Sequence, residues 1–161
     1  MTTDTTAPGL AGASPALAQL VERDEITRLV YRLGACLDEG LFEGMRDLFV
    51  DDAVASTPGG VAEGIDALIA QASRNHPADA AIQHLITNVL VDLEGDRATV
   101  RANLLVTFGR PDPDADAPSA LAEVYNFVAR RSSSGWRLAR VAVRPVWASH
   151  VPLVPVGRPG D

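Results

Sequence analysis

Apolar positions in the first quarter of the chain repeat every three or four residues: Leu17, Leu20, Val21, Ile26, Leu29, Val30, Leu33 and Leu37. This is the spacing of one helical face. Ser14 offers a capping hydroxyl, Pro15 suits the first helical position and Gly40 stops the run, so a helix is predicted from Ser14 to about Glu39. A short second helix over 42–49 buries Phe42, Met45, Leu48 and Phe49, and a brief strand over 53–56 follows. Pro58-Gly59-Gly60 reads as a turn, and a third helix over 64–73 carries Ile65, Leu68 and Ile69 on one face. Past residue 81 the period drops to two. Strands are predicted over 82–93, 98–108, 120–131 and 136–147. Gly95-Asp96 and 132–135 are the tight turns between them, and the acidic, proline-rich PDPDADAP (111–118) is a longer loop.

Helices first and hairpin-linked strands afterwards define an α+β fold. Strands of about ten residues twist and curl, and helices laid on the concave side leave a cone-shaped apolar cavity of the kind that takes small molecules. The expected architecture is a cone-shaped α+β barrel, with three N-terminal helices packed on a strongly curved, mostly antiparallel sheet. Residues 14–147 form this single domain. Residues 1–13 lack periodicity and are expected to stay disordered, and 148–161, with three prolines and two glycines, form an extended C-terminal tail.

Composition narrows the function classes. The 161 residues suit one domain, with 47% hydrophobic and 22% charged residues and a formal net charge of −7. No Lys/Arg cluster interrupts that acidic balance, which argues against a nucleic-acid partner and against a membrane surface. The lone cysteine, Cys36, permits neither an intramolecular disulfide nor a cysteine-rich metal site. The N-terminus has no leader pattern and no apolar run reaches about 18 residues, so a cytoplasmic protein is expected.

A few residues carry candidate chemistry. Asp38 closes the long helix, with Gly34 one turn and Tyr31 two turns below it on nearly the same line. Its carboxylate either points into the cavity, partly desolvated and suited to proton transfer, or is a solvated helix-end group beside Glu39. Alternation places His84 on one strand face with Ile82, Ile86, Asn88 and Leu90. A histidine among aliphatics acts as acid or base near neutrality, or is simply a core histidine with one hydrogen bond. Asn88 reaches the cavity if that face looks inward. Tyr125 shares a face with Leu121, Glu123 and Phe127, where its hydroxyl orients a substrate oxygen or its ring joins a cross-strand aromatic pair. Trp147 and Trp136 lie on opposite faces; Trp147 lines the pocket, meets a second subunit or packs in the core. Arg101, Asn103 and Thr107 look outward. His76, before Pro77, is assigned to the surface, and His150 in the tail is a candidate lid. No HxH or HExxH spacing, glycine-rich phosphate loop or GxSxG elbow is present, so neither a metal nor a cofactor is expected.

Taken in order, several short segments resemble the SnoaL-like branch of the nuclear transport factor 2-like superfamily. Leu37-Asp38-Glu39-Gly40-Leu41-Phe42 through Leu48-Phe49-Val50-Asp51-Asp52-Ala53 is similar to its helix–helix–strand opening, and Gly64-Ile65-Asp66-Ala67-Leu68 to its third helix. Gln83-His84-Leu85-Ile86-Thr87-Asn88-Val89 with Gly95-Asp96-Arg97-Ala98 resembles its first hairpin, and Ser134-Gly135-Trp136-Arg137-Leu138-Ala139 its last strand. The resemblance spans about 18–147. It implies that Asp38 and His84 meet in the pocket, the aspartate orienting the imidazole for acid–base work, and that two copies pair through their sheets. Leu37 stands where the scytalone dehydratase-like enzymes have a tyrosine, Ala102 or Asn103 where they have a second histidine, and Tyr125 or Asn126 near their asparagine.

The expected function is a cofactor-free enzyme performing cyclisation, dehydration or isomerisation on an apolar oxygenated small molecule, such as a polyketide or other secondary-metabolite intermediate. His84 and Asp38 would be catalytic, and Tyr31, Asn88, Tyr125 and Trp147 would bind substrate. The alternatives are a non-catalytic binding module of the same fold and a dimerisation domain with a filled core.

Overall fold

A computed structural model describes residues 14–76, 81–109 and 119–149. Helix α1 runs Pro15–Asp38, started by Ser14, whose hydroxyl accepts the Leu17 N–H at 3.3 Å. It stops in a Schellman turn: Gly40 takes φ +67°, its N–H reaches Leu37 O at 3.4 Å, and the Leu41 N–H donates to Cys36 O at 2.9 Å. A short 3₁₀ helix follows (Phe42–Asp47), then β1 (Phe49–Thr57), β2 (Gly60–Glu63) and α2 (Ile65–Asn75). The long strands are β3 (Ile82–Glu94), β4 (Arg97–Phe108), β5 (Ser119–Ser132) and β6 (Gly135–Ala148).

The α+β order and the four long strands stand where the pattern puts them. The N-terminal part differs in three ways. The second helix is a single 3₁₀ segment that ends at Asp47, and Phe49 already belongs to β1. Strand β1 is longer than 53–56, because the exposed pair Asp51-Asp52 sits on an irregular stretch of its pairing with β6. Strand β2 escapes the pattern because only Ala62 of its four residues is buried, too little to show alternation.

The strands form one sheet in the order β2-β1-β6-β5-β4-β3. The pairing of β1 with β6 is parallel and the other four are antiparallel. The sheet is curled and not closed, so β2 and β3 remain as edges. Helix α1 lies against β3 and β6, and α2 against β1 and the 3₁₀ helix. Ile26 and Val30 of α1, Leu48 at the end of the 3₁₀ helix, Leu68 of α2 and Leu138 of β6 are fully buried between them.

One irregularity decides which side chains face inward. Thr87 pairs with Asn103 and Leu90 with Arg101, so Asn88 and Val89 together oppose Ala102. Asn88 takes φ +52° at this bulge. The extra residue inverts the alternation: Ile82, His84 and Ile86 face inward before it, and Val89, Val91 and Leu93 after it. The sequence expectation that Asn88 and Leu90 share the His84 face is therefore corrected; both are exposed.

Candidate active site

Between the concave face and the two helices lies a cavity of about 350 Å³. Leu33, Leu37, Leu68, Val106, Val141 and Val143 give it apolar walls. Its polar inventory is small: His76, His84, Glu123 and Tyr125, with Gln71, Asn75 and Thr57 toward β1 and β2. Gln71 is already committed, its amide donating to Gly60 O at 3.2 Å. A domain with a filled core would have no such space.

Asp38 is the last residue of α1, held by the Schellman turn behind it. One turn earlier, a Cβ on Gly34 would stand 2.8 Å from Ile86 Cδ1 and 3.8 Å from His84 Cβ. The missing side chain lets the helix end lie close on β3. There Asp38 Oδ1 accepts the backbone N–H of His84 at 2.9 Å and meets His84 Nδ1 at 2.6 Å. A carboxylate beside Nδ1 requires a proton on that nitrogen, which leaves Nε2 as the basic atom of the neutral ring. The His84 side chain is 2% exposed and that of Asp38 25%. The imidazole thus forms the cavity wall and the carboxylate stands behind it, open to water on its far side. Neither reading of Asp38 holds in full: its carboxylate contacts His84, but it stands outside the cavity lining and a quarter of its side chain is exposed.

His76 was assigned to the surface from its place before Pro77, and the structure corrects this. It is half-buried on the cavity wall, with its ring centre 5.4 Å from that of His84 and 6.2 Å from that of Phe42. Its Nδ1–H donates to Ala72 O at 2.8 Å, satisfying a carbonyl at the end of α2. Burial lowers its pKa, and the neighbouring His84 adds to that, while the Ala72 bond and Asp38 oppose it. The signal was present: Leu68, Ala72 and His76 follow at four-residue steps, so the buried face of α2 runs straight on to the histidine.

The inward face of β5 brings Leu121, Glu123 and Tyr125 to the cavity, as alternation predicts. Glu123 is 7% exposed and is the carboxylate that sequence reasoning passed over as a face-mate of Tyr125. Burial raises its pKa, and the hydrogen bond from the Tyr125 hydroxyl partly offsets this. Burial also pushes the tyrosine hydroxyl well above its ordinary value, and the negative charge of Glu123 adds to the effect.

The other expected site residues lie elsewhere. Tyr31 is half exposed on α1 and is not on the cavity wall. Asn88 is turned out by the bulge. Trp147 lies on the convex face, in a shallow depression with Leu85, Leu105 and Val146. Arg101, Asn103 and Thr107 lie on that outer face as expected. His150, loop 111–118 and both terminal segments fall outside the described residues. Among the described residues no three His, Cys, Asp or Glu side chains are grouped to hold a metal ion, and no helix is long and apolar enough to cross a membrane.

Comparison with known proteins sets this geometry in context. A scytalone dehydratase-named protein from Novosphingobium aromaticivorans has a TM-score of 0.76 at 22% identity, covering 89% of this chain and 98% of its own. A nuclear transport factor 2-like protein with a cystatin-like fold, also from Novosphingobium aromaticivorans, has a TM-score of 0.72 at 26% identity, covering 86% and 90%. The hexachlorocyclohexane dehydrochlorinase LinA-type3 from Novosphingobium barchaimii has a TM-score of 0.73 at 17% identity, covering 88% and 99%. No curated protein matches the chain. The family model described as the SnoaL-like domain matches residues 18–142. On that match, across most of its length, the chain belongs to the SnoaL-like domain family.

Proposed function

We propose that this chain is a cofactor-free acid–base enzyme that cyclises, dehydrates or isomerises an apolar, oxygenated small molecule, such as a polyketide or another secondary-metabolite intermediate. The observation that carries this reading is the 2.6 Å contact between Asp38 and a nearly sealed His84 on the wall of an apolar cavity. His84 Nε2 takes a proton from substrate carbon or delivers one to a departing oxygen. Asp38 keeps Nδ1 protonated, fixes the ring and balances the charge of the imidazolium, an interaction strengthened where water is excluded. Tyr125, on the β5 wall, stands at the other side of the substrate. The family includes enzymes of this kind, and the fold is shared with a scytalone dehydratase-named protein and with LinA.

The test is turnover of a panel of enolisable ketones and hydroxyketones by the wild type and by His84→Ala. The substitution is expected to lower the rate roughly 10²–10⁴-fold. Asp38→Asn, which keeps the shape but not the charge, is expected to lower kcat with little change in KM. Undiminished turnover by His84→Ala would remove the mechanism.

The same reading includes a homodimer. The convex face exposes Leu85, Val146 and Trp147 around the depression that holds Leu105, a patch suited to a second copy of the sheet.

A further inference from the structure

The mechanism above leaves one buried carboxylate unused. Glu123 is 7% exposed, lines the same cavity as His84, and has no cation paired with it among the described residues. Its polar neighbour is Tyr125, two residues along the same strand face and on the wall of the same cavity. A buried charge without a counter-ion is costly, so such a carboxyl favours its neutral, proton-bearing form.

Register fixes where this group stands relative to His84. His84 pairs with Val106, and Val106 with Leu121; Glu123 is the next inward residue after Leu121. Two strand spacings across and two residues along separate the backbones by about 12 Å, and the side chains point into the space between. That space holds a small molecule lengthwise, with a base at one end and a proton donor at the other.

We propose that Glu123, with Tyr125 beside it on the cavity wall, binds and protonates a carbonyl oxygen of the substrate, so that the cavity selects apolar ketones whose enolisable C–H lies toward His84. The inference rests on the acid–base reading of His84 and adds the substrate class to it. The step balances as follows. The C–H bond breaks and its proton passes to His84 Nε2. Its electron pair becomes the C=C bond of an enol. The carbonyl π pair moves to oxygen, which takes the proton of Glu123. Neutral imidazole and neutral carboxyl become an imidazolium held by Asp38 and a carboxylate on the cavity wall beside Tyr125. Reversal at a different carbon completes an isomerisation.

The experiment compares binding of three probes of nearly equal shape: β-tetralone, its enol analogue β-naphthol, and naphthalene, which has no oxygen. The wild type is expected to bind both oxygenated probes about tenfold or more tightly than naphthalene, the worth of one well-made hydrogen bond in an apolar site. Glu123→Leu is expected to erase that preference, Tyr125→Phe to reduce it, and His84→Gln to leave it intact. Glu123→Gln, which keeps a donor and nearly the same volume, retains part of it and guards against a folding artefact, with circular dichroism of every variant as control. A preference that survives Glu123→Leu, or is absent in the wild type, overturns the proposal. Loss in His84→Gln instead places the oxygen at the histidine end, which sinks the role of Glu123 and leaves the dyad standing. Failure of the folded wild type to bind any of the three overturns the ketone selection by Glu123, while the dyad is still decided by turnover of His84→Ala.

Discussion

Asp38 uses one oxygen twice, for the amide of His84 and for its ring, so the backbone and the side chain of the histidine are set by the same atom. Across the cavity, burial acts on two groups in opposite directions. Glu123 has its pKa raised from 4.5, so its contribution to stability is full below that value and is lost as the pH rises through the raised folded-state value. His76 has its pKa lowered from 6.5, so its contribution is full above that value and is lost as the pH falls through the lowered one. Glu123→Gln removes the first of these. Its Tm relative to wild type is therefore expected to rise on going from below pH 4.5 to neutral pH, as followed by thermal unfolding across that window. A Tm difference that is flat or falls over the same range would mean that burial does not raise the Glu123 pKa. At this scale periodicity placed His84 and Tyr125 on inward strand faces, while the meeting of Asp38 with His84 was an expectation from the family resemblance, because spacing alone left the Asp38 carboxylate free to face solvent. Tyr31 and Trp147 were misplaced because a position on a helix line or a strand face does not say what covers it.

Among the elements, the strands were legible almost to the residue, since apolar alternation and the Gly95 and Gly135 turns mark them. The bulge in β3 was not. An inserted residue changes two backbone dihedrals, and Asn88-Val89-Leu90-Val91 is compatible with either face pointing inward. The structure places the burden of the inversion on Asn88, a residue type that tolerates φ +52°. Asn88→Gly is expected to be neutral or slightly stabilising, and Asn88→Val to cost about 1–2 kcal/mol, because a branched side chain is strained there. Deleting Asn88 forces either His84 and Ile86 or Val89, Val91 and Leu93 off the inner face, a loss of several buried side chains. Urea unfolding of the three variants checks the order. A stable deletion variant would show that the bulge does not set the register. The same kind of reasoning explains His76, where a proline was read as the end of the buried face although the helical step carries on to the residue before it.

For the molecule as a whole, the helices make one side of the sheet a cavity and leave the other side open, with Trp147 and Val146 each about half exposed. If two copies pair through that convex face, Trp147→Arg introduces a charge into an apolar contact and shifts the protein to monomers, while the cavity and its dyad stay intact. Light scattering of wild type and variant at matched concentration reads the outcome directly; a monomeric wild type would dismiss the dimer. The open sheet has a further consequence at its β3 edge. Two side chains of α1 satisfy polar groups of that strand: Arg23 donates to Val91 O at 3.4 Å, and Asp38 accepts from the His84 amide at 2.9 Å. The helix therefore acts as a missing seventh strand would, shielding the rim from partners that add by hydrogen bonding. Because one oxygen of Asp38 serves both the rim and the imidazole, removing that carboxylate would leave the His84 amide and the ring without their shared partner at once.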